Sequence, residues 1–248
     1  MERLKLWIAY DGAPFEGWQS QARGNTVQDH LERAFQPICG TRIVVHGSGR
    51  TDTGVHALGQ VAHVDVPARR LPPEKWTSAL NAHLPPEIRI LRTRRASAQF
   101  HARFQTRGKI YLYRIWNAAV LPPFERGRAW HLPMVLDLQT LRTCAQMLVG
   151  THDFAGFAAN RRGRSASASS VRTVRRIALQ RRGALITLRF EADGFLYKMV
   201  RLLTGTIVRC AQGRMDSQII RELLARKGER KTSFAAPAEG LYLARVLY

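Results

Sequence analysis

Gly47-Ser48-Gly49-Arg50-Thr51-Asp52-Thr53-Gly54-Val55-His56-Ala57-Leu58-Gly59-Gln60 sets one carboxylate among glycines, threonines and an arginine, between two strand-like runs. Glycine permits the backbone conformations that a tight loop needs. A charged residue on a loop held by rigid flanking elements is more often functional than one on an open helix face. Asp52 is therefore the leading candidate for catalysis. Aspartate beside Thr and Gly also serves to cap a turn through its own backbone, so the loop alone leaves both roles open. Two nucleotide-binding readings fail on spacing. Gly49 and Gly54 are placed as in a phosphate loop, but Val55-His56 stands where Lys-Ser/Thr is required. Gly47-x-Gly49 lacks the third glycine of a dinucleotide fingerprint.

Outward from this loop the chain alternates like a strand at 4–10, 60–66, 109–116, 171–179, 184–192 and 241–247. Helices are predicted between them. Asn25-Thr26 followed by Val27, Leu31, Phe35 and Ile38 reads as a capped amphipathic helix ended by Gly40. Asp137 with Leu138, Leu141, Ala145 and Leu148 opens a second that Gly150 closes, and a third runs from Asp216 to Gly228. Strands and helices that intermix without strict alternation indicate an α+β fold with a largely antiparallel sheet. The stretch 99–108 and a change in charge divide the chain near residue 104, giving halves 1–104 and 105–248.

The chain has 248 residues, 45% of them hydrophobic and 23% charged, enough to bury a core. No apolar run reaches the roughly 18 residues of a membrane span, and the N-terminus alternates where a signal peptide would show an apolar block. The expectation is a soluble, cytoplasmic protein with no membrane partner. Cys39, Cys144 and Cys210 are odd in number, far apart and in apolar segments. That pattern suits small core residues, and neither a disulfide framework nor a zinc site.

Charge is the strongest compositional signal. Thirty-nine Lys+Arg against 18 Asp+Glu give +21 and a sequence pI near 11.3, which points to a polyanionic partner. The excess is uneven: 13 basic and 9 acidic residues in 1–100, against 26 and 9 in 101–248. The second half should carry most of the phosphate contact. Residues 160–170 are basic, small and poor in apolar side chains, and read as a loop in which Arg161, Arg162 and Arg164 favour contact with that polyanion over a plain linker.

The motif Gly49-Arg50-Thr51-Asp52-Thr53-Gly54-Val55-His56-Ala57 with Gly59-Gln60-Val61 resembles the signature of the TruA-type tRNA pseudouridine synthases, with Thr53 in place of the usual Ala. Further matches in the family's order cover nearly the whole chain. They include Tyr10-Asp11-Gly12 with Gly17-Trp18-Gln19, Phe100-His101-Ala102-Arg103-Phe104, Tyr111-x-Tyr113, Gly194-Phe195-Leu196-Tyr197-x-Met199-Val200-Arg201 and Ala236-Pro237-Ala238-Glu239-Gly240-Leu241. The resemblance implies the pseudouridine synthase fold, two α+β halves meeting along a cleft. It also implies a homodimer that converts uridine to pseudouridine in tRNA, at positions 38, 39 and 40 on the 3′ side of the anticodon stem-loop.

That reaction breaks the bond between uracil N1 and ribose C1′, turns the base and rejoins it through C5, with no redox change, so no cofactor is expected. A carboxylate either attacks covalently or stabilises a developing cationic sugar and moves a proton, and Asp52 fits each version. Arg201 is its candidate partner, favouring the ionised carboxylate; Lys198, Arg201 and Gly205 fall on one stripe of a helix. Lys198 departs from the residue usual there and bears on RNA contact. Tyr111 and Tyr113 share a strand face, and family position selects Tyr111 to stack on the freed uracil and to accept the C5 proton. Arg50 is placed to fill the stack left by a flipped nucleotide, while His101 and Arg103 meet phosphates. His56 and His63 lack metal-ligand spacing and read as hydrogen-bonding or core residues, so no metal is expected. The rival is a non-catalytic RNA-binding or RNA-remodelling protein, which has no use for a carboxylate that repels phosphate in its most basic cleft. A metal-dependent nuclease would need several clustered carboxylates.

Overall fold

A computed structural model describes residues 1–159, 169–225 and 228–248. In chain order these form β1 (Glu2–Tyr10), α1 (Val27–Cys39), β2 (His46–Gly47), β3 (His56–Val66), α2 (Trp76–His83), β4 (Ile88–Ala96), β5 (Gly108–Trp116), β6 (Trp130–His131), α3 (Leu138–Met147), β7 (Gly150–Asp153), β8 (Val171–Arg182), β9 (Leu185–Ala192), α4 (Met199–Ala211), α5 (Gln218–Ala225) and β10 (Leu241–Leu247). The order mixes strands and helices as an α+β fold requires. The chain divides into two compact units, Met1–Arg107 with Tyr242–Tyr248, and Gly108–Leu241.

In the first unit the strands run β4-β1-β3-β10, with β2 also paired to β3. Pairing is antiparallel throughout except between β3 and β10. β1 alternates as the sequence predicts: Leu4, Leu6, Ile8 and Tyr10 are buried, while Arg3, Lys5, Trp7 and Ala9 are not. The buried row shares its core with Leu31 and Phe35 of α1 and Trp76 and Leu80 of α2, all fully enclosed, and the Phe35 and Trp76 rings sit 5.9 Å apart. α1 begins where expected, because the Thr26 hydroxyl accepts from the Asp29 amide while the Asp29 carboxylate accepts from the Thr26 amide. Gly40 ends it at φ +71°.

In the second unit the strands run β5-β9-β8-β7, with β6 added to β5 in parallel. Phe154, Phe157, Leu188, Phe190, Met199, Leu203 and Ile207 form its core. Two helix boundaries differ from the sequence reading. α3 stops at Met147, and Gly150 instead opens β7 at φ +126°, because the last turn is already closed by the Leu148 amide donating back to Ala145 and the Val149 amide to Gln146. α4 starts after Lys198, whose φ of +59° takes it out of the helical path, so Lys198 caps the helix and is not part of its stripe. Cys144 and Cys210, distant in sequence, are buried where α3 packs on α4; Cys39 is half-buried, and all three are free thiols.

Candidate active site

Asp52 sits on the loop between β2 and β3. Its carbonyl accepts from the Val55 amide at 3.1 Å, closing a tight turn in which Gly54 has φ +75°. Neighbours of Asp52 tie the turn down on both sides. The Thr51 carbonyl accepts from the Trp18 amide at 3.0 Å, and the Thr51 hydroxyl is 2.7 Å from the Tyr10 hydroxyl at the end of β1. Gln60 donates to the Gly49 carbonyl at 2.7 Å. Gly12 packs so closely that a Cβ there would lie 2.1 Å from the Val55 carbonyl oxygen. Its amide donates to Nδ1 of the buried His56 at 3.0 Å, and the same nitrogen is 3.1 Å from Asp11 Oδ1. The His56 ring stacks on Tyr242 at 4.5 Å. Asp52 itself is only half-buried, whereas Thr51, Val55 and His56 are enclosed. The result is a carboxylate presented from a rigid turn, and Thr53, the departure from the family motif, points to solvent.

Arg50, two residues earlier, is exposed. His101 and Arg103, in the same unit, lie on the turn after β4. The His101 Nδ1 accepts from the Arg103 and Phe104 amides at 3.1 and 3.3 Å. Its ring stacks on Phe104 at 4.2 Å and meets His63 at 4.6 Å, and Arg103 lies over Phe104 at 5.7 Å. His63 stacks in turn on His46 at 4.8 Å. Sequence reading missed this ladder, and its outermost ring, Phe104, is 76% exposed; an aromatic directly after His101 and Arg103 on a polar turn is the signal that would have found it. His63 is buried and accepts from the Ala102 amide at 3.2 Å. Burial, then the adjoining His46 and His101, lower its pKa to about 4. Both His56 and His63 are thus buried and hydrogen-bonded, as the sequence suggested.

The second unit holds Tyr111, Lys198 and Arg201. Tyr111 and Tyr113 lie on the same face of β5, opposite Phe190 and Leu188 of β9. Tyr113 is fully enclosed, donates its hydroxyl to the Pro237 carbonyl at 2.8 Å, and is held protonated by burial. Tyr111 is buried with its ring edge-on to Phe195 at 5.1 Å. Arg201 is clamped to the segment before β10 from both directions: its Nε donates to the Ala236 carbonyl at 2.7 Å, and the Ala236 amide donates to the Arg201 carbonyl at 3.0 Å. Gly205, one turn on, makes that approach possible, since a Cβ there would stand 2.3 Å from the Phe234 carbonyl oxygen. Arg201 is therefore half-buried and oriented by backbone. Lys198 lies over the Tyr197 ring at 5.4 Å. Arg161, Arg162 and Arg164 lie outside the described residues. Among the described residues, no group of His, Cys, Asp and Glu side chains could hold a metal ion, and no helix is long and apolar enough to cross a membrane.

A family model described as tRNA pseudouridine synthase matches residues 7–105 and 144–248, which contain every one of these side chains except Tyr111 and Tyr113. The chain is similar end to end to curated proteins named tRNA pseudouridine synthase A. The relative from Akkermansia muciniphila is 44% identical over 253 residues, covering 100% of this chain and 96% of the relative. Those from Geobacillus kaustophilus and Acetivibrio thermocellus are 42% and 37% identical, each covering 100% of this chain and 95% and 100% of their own length. Identity of this level over full length, with the Asp52 loop inside the matched region, places the chain in the tRNA pseudouridine synthase family of isomerases.

Proposed function

We propose that this chain isomerises uridine to pseudouridine in tRNA, on the 3′ side of the anticodon stem-loop, with the Asp52 carboxylate as the essential group. The observation that carries the reading is the turn around Asp52: a half-exposed carboxylate held by buried neighbours, in a chain similar throughout to enzymes of that name. A carboxylate that only capped a turn would not need its neighbours fixed by Tyr10, Trp18 and Gln60.

The reaction breaks N1–C1′, forms C5–C1′, moves a proton from C5 and returns one to N1, so it is balanced without an external reactant. Asp52 acts ionised, and Arg201 serves as its counter-charge. The orientation of Arg201 by Ala236 supports that role, because a guanidinium already fixed by backbone loses little entropy when it pairs. Tyr111 stacks on the detached uracil, an interaction worth about 1–3 kcal/mol per base, and takes the C5 proton. The target must leave its stack to reach Asp52, and Arg50 fills the gap. His101, Arg103, Lys198 and the arginines at 161, 162 and 164 hold the phosphate backbone. Incubation of purified protein with unmodified tRNA should yield pseudouridine in the digested nucleosides, located by sequencing to the anticodon stem. Tight binding of tRNA with no pseudouridine would instead leave an RNA-binding protein.

A further inference from the structure

Tyr10 is the last residue of β1, at a point where the β1–β3 register shifts between Ile8 and Tyr10. The pairing shifts there, while Tyr10 keeps to the buried row of Leu4, Leu6 and Ile8. Its ring is buried and tilted against Trp18, with centroids 6.1 Å apart, so it cannot touch RNA. The hydroxyl ends 2.7 Å from Thr51 Oγ1, and on the neighbouring β3 the Gln60 side chain, opposite Ile8, is fully buried. Gln60 also donates to the Gly49 carbonyl at 2.7 Å and accepts from the Val61 amide at 3.2 Å. The residues on either side of Arg50, Gly49 and Thr51, are thereby held by one buried cluster, and Asp52 is the next residue along. Burial keeps the phenol far from ionising, so the cluster works as neutral hydrogen bonds that rearrange little with pH. Phenylalanine would fill the same space; only the hydroxyl explains a tyrosine here.

We propose that Tyr10 is a positioning residue of the isomerisation: with Gln60 bracing Gly49, its hydroxyl holds Thr51 and so fixes the Asp52 backbone at the height from which the carboxylate meets the N1–C1′ bond. This rests on the reading of Asp52 as the essential carboxylate. A carboxylate displaced by about 1 Å costs on the order of a hundredfold in rate, while the RNA-binding surface is untouched by a change under the loop.

Single-turnover and steady-state kinetics on unmodified tRNA, with folding of each variant checked by thermal melt below which all assays are run, separate the possibilities. Tyr10→Phe should lower kcat by about 10- to 100-fold with KM for tRNA within about twofold. Thr51→Val should do the same, Thr51→Ser should restore most of the rate, and Tyr10→Phe with Thr51→Val should be no slower than either alone, because both remove one bond. A folded Tyr10→Phe with unchanged kcat overturns the proposal, as does a purely additive double variant. Should Tyr10→Phe not fold, the comparison of Thr51→Val with Thr51→Ser decides: a kcat gap supports the role and equal kcat overturns it. Asp52→Asn in the same assay keeps the underlying reading separate. If it turns over normally, the assignment of Asp52 fails; if it is inactive while Tyr10→Phe keeps wild-type kcat, the positioning role alone fails.

Discussion

At the scale of single residues, the proposed reaction gives the two tyrosines of β5 different work. Tyr113 gives its hydroxyl to the Pro237 carbonyl inside the core, so Tyr113→Phe should cost roughly 1–3 kcal/mol of stability by leaving that oxygen unpaired and leave turnover intact. Tyr111→Phe keeps the ring against Phe195 and should bind tRNA normally while product formation collapses. Thermal melts and nucleoside analysis of the two variants test this directly; full activity in Tyr111→Phe would reduce it to a stacking residue. His63 makes a second prediction. Its folded pKa of about 4 lies below the ordinary histidine value, so the unfolded chain takes up a proton that the folded one refuses. Stability should therefore hold above about pH 6.5 and fall as pH drops towards about 4. Arg3, His46 and His101 oppose that proton and Asp65 favours it. His63→Gln should flatten the decline of Tm across that window, and an unchanged slope would show that the loss arises elsewhere.

Elements were legible where a local side-chain pattern bounded by turn signals marks them. β1, β3, β5, β8, β9 and β10 alternate visibly, and Thr26 with Gly40 marks both ends of α1. β4 escaped, because Ile-Arg-Ile-Leu-Arg-Thr-Arg-Arg-Ala packs only one face at the edge of the first unit's sheet and exposes Arg92, Arg94 and Arg95. α2 escaped too, its eight residues too short for a periodicity to show. The Asp52 turn was visible as a glycine-rich loop, yet the residues that hold it were not, since Tyr10–Thr51 and Gly12–Val55 join positions 41 and 43 apart that no local pattern links. Lys198 was misread as part of a helix because a single αL residue leaves no trace in side-chain periodicity. The contact at Gly12 gives an element-scale test. Gly12→Ala should force the Val55 turn away from β1 and cost about 1–3 kcal/mol, with a lower Tm and a loss of turnover; a Tm equal to wild type would show that the loop yields freely.

For the whole molecule, the charge asymmetry between residues 1–100 and 101–248 underlies the proposal of a homodimer. A net +17 exceeds what one small site needs, and an L-shaped tRNA is longer than a single domain of this size spans. In this reading the arginines at 161, 162 and 164 grip RNA for the opposite subunit's site. Mixed dimers of Asp52→Asn subunits with subunits carrying Arg161→Ala, Arg162→Ala and Arg164→Ala should regain activity that neither parent has, because one composite site is intact. No recovery in verified mixed dimers, or a monomer by sedimentation at working concentration, would refute it. Affinity for tRNA should in any case fall steeply with salt. In the proposed reaction every other group serves the carboxylate of Asp52. Asp52→Asn keeps its shape and removes its charge, and single-turnover formation of pseudouridine with saturating enzyme measures chemistry free of binding. The prediction is a loss on the order of a thousandfold or more with tRNA affinity equal to or tighter than wild type, whereas pseudouridine formed at near the wild-type rate would contradict the central claim.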